Sequence, residues 1–308
     1  MKAVMYHYVR PTTEPPPFGY YHLGLEAFRR QLEYLTDRFE PMDRAGFVDC
    51  VTGERDPPES SFVLTFDDGL RDHHEWVLPE LERRDLWGVF FVPTGPLTSG
   101  KLLPVHRIHA LLGAVDPHLL FETLIEITDG DLADSKADRG DRTTAESAAA
   151  FKRVLTSGIP RSRVEPVLDD LEGRFERAGG IDAEEYYMSD RQLRSLRSSG
   201  MMVGAHSVSH PVLARLPESE QREEVFESVE FVESIGTDPE TTLFAYPYGG
   251  RDTFSRTTED LVEEAGCAAA FSTVSGDLTG EHLTGSRFAL PRRDCNEFPH
   301  GQATVDFR

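Results

Sequence analysis

The chain has 308 residues, 39 % of them apolar, enough to bury one full α/β domain or two small ones. Its net charge of −22, from 54 acidic and 32 basic residues, argues against an extensive nucleic-acid or anionic-membrane surface. Three cysteines, Cys50, Cys267 and Cys295, without a CxxC spacing, give no basis for a disulfide framework or a thiolate zinc site.

Only four of the basic residues are lysine. A Lys-poor, Asp/Glu-rich surface suits a concentrated salt solution, so a halophilic habitat is expected. The opening residues Met1 to His7 carry neither a basic segment nor a long apolar run, and a cytoplasmic location is expected. Apolar runs such as Gly88 to Val92 have strand length, so no membrane span is expected.

Strand-like and helix-like segments alternate from the first residue, the pattern of an α/β fold. Lys2 to Val9 predicts a strand, and Leu25, Phe28, Leu32 and Leu35 recur at helical spacing. Phe62 to Phe66 predicts the next strand, running into Asp67-Asp68-Gly69; a helix around Glu75 to Arg84 and a buried strand at Gly88 to Val92 follow. From about residue 100 to 187 the sequence turns acidic and helix-favouring. We expect a mostly helical insertion at 100–187 within a single domain spanning 1–308. Leu111, Leu112, Leu119, Leu120 and Leu124 are its candidate docking residues, and Asp129 to Asp131 and Asp138 to Asp141 its solvated loops.

The alternation resumes at Ser189, which with Gln192 makes a capping box for a helix ending at Gly200. Met201 to Ala205 predicts a strand delivering His206. A long helix to Ile235, a strand Thr242 to Tyr246, a short helix to Ala265, a strand Ala268 to Thr273 and a last strand near Phe288 to Leu290 complete the pattern. Polar residues placed just after the strands favour an open or distorted parallel barrel with its chemistry at the carboxyl ends.

Asp67 and Asp68 are adjacent carboxylates at the end of an apolar strand. Like charges this close resist joint ionisation unless a cation sits beside them, whereas a single Asp here would cap the following helix. Neighbours on an extended chain point apart, so one carboxylate can hold a metal while the other meets an attacking water. His206-Ser207-Val208-Ser209-His210-Pro211 places two imidazoles four residues apart, able to converge from one helical turn or a tight loop. The ordinary alternative is a core histidine with an exposed neighbour. Two His and one carboxylate form a common open metal set. Phe244 to Gly250 runs a strand into Pro247 and two glycines, a turn able to aim backbone N–H groups at an oxyanion, with Tyr246 a candidate for lining a sugar site. His7 ends the first strand and either lines the site, serves as an acid or is a hydrogen-bonded strand-end residue. For His73 and His74 an exposed helix start is expected.

In this order, Thr65 to Gly69, His206 to Pro211 and Phe244 to Gly250 resemble the polysaccharide deacetylase family, the NodB-homology proteins of carbohydrate esterase family 4. Leu78 to Leu81, Gly88 to Pro93 and Gly200 to Ala205 are similar too, on either side of the insertion, from near Met1 to about Arg293. The resemblance implies a distorted (β/α)7-type barrel and metal-dependent removal of an N-acetyl group from an amino sugar. It implies Asp67 as catalytic base, Asp68, His206 and His210 as ligands of one divalent ion, and the Tyr248 backbone N–H as oxyanion donor. Zinc is the expected ion, with cobalt, nickel or manganese as substitutes.

Many members pair the base with an arginine at the position of Ala245. Here Arg292 is the preferred source of that charge, with Arg293 as its rival. The family's tryptophan motif and its Leu-x-x-His-Asp segment are absent. The expected partner is an N-acetylated sugar, preferably a nucleotide- or lipid-linked glycan precursor. A hydrolase of a non-sugar amide and a catalytically silent carbohydrate-binding barrel are the competing functions. The sequence carries no signal for an oligomeric state.

Overall fold

Seven short segments, all but the last mainly apolar, become the parallel strands β1 (Lys2–Tyr6), β2 (Ser61–Phe66), β3 (Gly88–Val92), β4 (Met202–Ala205), β5 (Leu243–Ala245), β6 (Ala269–Ser275) and β7 (Leu290–Asp294). The structure is a computed structural model, and the residues it describes are 1–14, 20–128, 143–175 and 182–302. Because β1 hydrogen-bonds to both β2 and β7, the seven strands close into the expected barrel.

Successive side chains of a strand point to opposite faces, and the core divides accordingly. Val63, Val89, Phe91, Leu243, Ala245, Phe271 and Leu290 form one buried cluster inside the barrel. Leu64, Phe66, Phe90, Val203 and Phe244 join a second cluster with helix residues such as Phe28, Leu32, Leu193 and Val225, so this set faces outward. Each fully buried Phe or Leu contributes roughly 1.5–3 kcal/mol.

The flanking helices form where caps and spacing dictate. Leu25–Arg38 buries Leu25, Phe28, Leu32 and Leu35. Asp190–Ser198 starts at the Ser189–Gln192 capping box and stops before Gly200, which takes the left-handed φ of 85°. Two boundaries differ from expectation. Strand β1 stops at Tyr6, and Val9–Arg10 pairs separately with Leu23–Gly24. The last strand is Leu290–Asp294, preceded by a 3₁₀ turn at Arg287–Ala289. Two arginines make that strand unrecognisable by hydrophobicity: Arg292 points inward to a counter-charge, and Arg293 pairs with Asp277 and Glu297.

The described residues divide into two compact units, one drawn from Met1–Glu14, His22–Gly100 and Ala183–Thr304, the other from Lys101–Asp182 with Tyr20 and Tyr21. The first is the barrel. In the second, helix Pro104–Ala114 packs against Arg161–Arg174, and Pro117–Ile127 packs against both Thr144–Arg153 and Arg161–Arg174. Leu111, Leu112, Leu120 and Leu124 are buried there while Leu119 is exposed. Arg107 ties two of these helices together through Asp169 at 2.6 Å, Glu172 at 2.8 Å and Glu165. Residues 129–131 and 138–141, expected as solvated loops, lie outside the described residues. No helix among the described residues is long and apolar enough to cross a membrane.

Candidate metal centre

The carboxyl ends of the barrel strands gather the chemistry-bearing residues. Asp68, one residue past the lumen-facing Asp67, turns the chain with a φ of 76°, and Gly69 continues at 62°. A Cβ on Gly69 would sit 3.0 Å from Val92 Cγ1, so the turn needs glycine's freedom and its small size. His206 leaves β4 with its N–H donating to the Val92 carbonyl at 3.1 Å. Its Nδ1–H donates to the Ala245 carbonyl at 2.6 Å, which fixes the tautomer and turns Nε2 toward Asp68. The His206–His210 segment is a tight loop, not a helical turn: Ser207 and His210 take positive φ values of 61° and 56°, and the His210 N–H donates to Ser207 Oγ.

Asp68 Oδ1 lies 3.6 Å from His206 Nε2 and 3.4 Å from His210 Nε2, and all three side chains are buried. A tetrahedral ion with ligand distances of roughly 2.0–2.2 Å spaces its donors by about 3.4 Å. The set of one carboxylate oxygen and two imidazole nitrogens therefore fits a divalent ion in both chemistry and spacing.

Asp67 faces a different partner. The Arg292 guanidinium grips it in two parallel hydrogen bonds, Nη1 to Oδ1 and Nη2 to Oδ2, each 2.7 Å. Arg292 is 0 % exposed; its Nε–H donates to the Ser272 carbonyl, Nη1 contacts Thr65 Oγ1, and the group lies over the Phe91 ring. Burial alone would raise the Asp67 pKa, but the adjoining Arg292 charge outweighs it and holds the carboxyl below its usual range. A carboxylate offers about four lone-pair positions, so two remain for a water. Of the two arginines weighed for this pairing, Arg292 is the one that lies on Asp67, while Arg293 pairs with Asp277 and Glu297.

Tyr248 follows Pro247 with a φ of 61°, its ring 4.9 Å from that of His210. Among the described residues its backbone N–H makes no hydrogen bond. Tyr246, expected to line the site, is instead fully buried: it stacks on Phe254 and its hydroxyl donates to the Phe288 carbonyl at 2.8 Å. Strand alternation is the reason, since Ala245 takes the lumen side and Tyr246 the helix side. His7 is half-buried, one residue beyond the Tyr6–Phe66 register pair, next to Asp67. His73, expected at an exposed helix start, is fully buried, with Nε2–H donating to the His7 carbonyl at 2.9 Å. Burial pushes its imidazole down to about 4, so it is neutral near pH 7. The segment His73–Val77 forms a single π-helical turn, with His73 and Val77 buried.

Sequence reasoning missed Glu224, whose carboxylate accepts from the Val208 and Ser209 N–H groups on the His206–His210 loop. The available signal was a carboxylate sharing a helix face with Val225 and Ser228.

The profile of the polysaccharide deacetylase family matches residues 177–270, a stretch holding both histidines and Tyr248. The chain resembles this family. No curated protein sequence matches significantly. Among solved structures, the Streptococcus pyogenes deacetylase PplD in complex with acetate aligns with a TM-score of 0.58 at 14 % identity, covering 96 % of this chain and 92 % of that one. IcaB from Ammonifex degensii gives 0.54 at 18 %, covering 95 % and 91 %. A de-N-acetylase from Aggregatibacter actinomycetemcomitans gives 0.56 at 14 %, covering 94 % and 93 %. At such identities these likenesses speak to the deacetylase fold alone.

Proposed function

We propose that this chain is a metal-dependent N-deacetylase that hydrolyses the N-acetyl group of an amino sugar, in a glycan precursor or oligosaccharide, and releases acetate. The observation that carries the reading is the juxtaposition of an Asp–His–His donor set with a second, non-ligating aspartate kept ionised by a buried arginine. The neighbouring structures described as deacetylases favour the same class of reaction.

Asp68, His206 and His210 would hold one divalent ion, zinc by preference. It would supply the positive charge that acidifies a water and polarises the acetamide carbonyl. Asp67 takes the proton from that water, its two remaining lone pairs facing away from Arg292. The Tyr248 N–H donates to the oxyanion as the carbonyl carbon becomes tetrahedral. His7, beside Asp67, passes the proton that Asp67 took on to the departing amine. A silent binding barrel is disfavoured, because burying a second carboxylate with its own arginine is costly and a binding module has no use for it.

The test is acetate release from N-acetylated nucleotide sugars and chito-oligosaccharides, run in high salt to suit the acidic surface. We expect release from at least one of them, its loss after chelation and its return with zinc. Acetate release that persists in metal-free protein would overturn the metal dependence, and no release from any substrate would favour a non-sugar amide.

A further inference from the structure

We infer that Glu224, on the helix Glu218–Ser234, is a positioning residue that sets the spacing of His206 and His210 by clamping the loop between them; the inference rests on the metal-site reading above. Ser207 and His210 both lie in the left-handed region, which side chains other than glycine rarely adopt, and neither local sequence nor a regular element imposes it. Something outside the loop must hold it.

Those outside partners account for the loop's polar groups one by one. The Ser207 carbonyl accepts from the Thr94 N–H at 3.1 Å and the Val208 carbonyl from the Gly95 N–H at 2.8 Å. The approach is so close that a Cβ on Gly95 would sit 2.6 Å from the Val208 oxygen. On the other side, Glu224 Oε2 accepts from Val208 N–H at 2.9 Å and Ser209 N–H at 2.8 Å, and Oε1 accepts from the Ser209 hydroxyl. The His210 N–H donates to Ser207 Oγ at 3.0 Å.

Of these partners only Glu224 is a charged side chain, and it is 6 % exposed. Charge-assisted hydrogen bonds are roughly twice as strong as neutral ones. A buried carboxylate accepting three bonds from one short loop therefore fixes that loop's path, and with it the direction in which the two imidazoles leave the backbone. Outer groups that orient metal ligands change metal affinity by about 10–100-fold when removed.

The test is Co²⁺ titration of the metal-free, full-length protein, followed by visible absorbance, with circular dichroism reporting the fold. Glu224→Ala is expected to weaken Co²⁺ binding by about 10–100-fold and to alter the absorption band. Glu224→Gln, whose amide oxygen still accepts from both N–H groups, is expected to recover part of the binding lost in the alanine variant. Glu224→Asp withdraws the oxygens by one methylene and is expected to weaken binding in the same direction; it carries the test should the alanine variant not fold. Wild-type affinity and spectrum in both the Ala and the Asp variants would overturn the inference. So would a Gln variant as weak as the Ala one, since that assigns the effect to charge and not to loop geometry. His206→Ala serves as control: Co²⁺ binding unaffected by that change removes the metal-site reading itself, whereas its loss there with none at Glu224 removes only the clamp.

Discussion

Asp67→Asn is expected to lower acetate release by roughly 10²–10⁴-fold, the usual contribution of a positioned base, while the protein still binds its divalent ion. Asparagine keeps the shape of the side chain but cannot take a proton. The candidate ligands Asp68, His206 and His210 are untouched by the change. The substitution also sets an amide N–H₂ against one arm of Arg292, so a lower melting temperature is expected, and turnover is compared at a temperature where both proteins are folded. Equilibrium dialysis with zinc and an acetate assay on the same preparation check both halves. Turnover near wild type would show that another group takes the proton.

The second large effect falls on Arg292. Arg292→Met, similar in reach but uncharged, strands the Asp67 carboxylate in the barrel lumen, and losing one member of a buried pair costs about 3–5 kcal/mol. The sign of the pH dependence follows from the two opposed influences on Asp67. With Arg292 present the carboxyl pKa is depressed, so its contribution to stability is present above the ordinary carboxylate value and is lost as pH falls through the depressed one. With Arg292 gone, its lowering influence is lost and burial raises the pKa against the smaller pull of His206 and His7. The acid limb of the kcat/KM profile should move to higher pH, and the variant's stability deficit should shrink as pH falls. Denaturant unfolding and pH–rate profiles measure these. Combining Asp67→Asn with Arg292→Met should destabilise less than the sum of the single changes, because the pair is coupled. Additive losses and an unmoved acid limb would mean that the two groups are neighbours without function.

Much of this arrangement was legible before any coordinates. Asp67, Asp68 and His206 stand at the ends of apolar segments whose length and composition mark them as strands, and parallel strands with intervening helices bring such ends to one face. The Ser189–Gln192 box was readable because capping is local chemistry. The remainder depended on tertiary phase. Arg292 was only one of two candidates, since the register shift between Leu290 and Arg292 on β7 has no local signature. Tyr246 looked like a site residue until strand alternation placed it among the helices, on Phe254. His73 is buried with its ring on the His7 carbonyl, 66 residues away, a contact that hydrophobic spacing does not announce. Glu224 meets its loop across 15 and 16 residues of chain, a contact that its position on the helix does not by itself announce.

Anomalous scattering from crystals soaked in zinc locates the ion itself. A single strong peak is expected at the carboxyl end of the barrel, within about 2.0–2.2 Å of Asp68 Oδ1, His206 Nε2 and His210 Nε2. A fully soaked crystal with its zinc bound elsewhere, or with no peak among these three side chains, would contradict the metal-site reading.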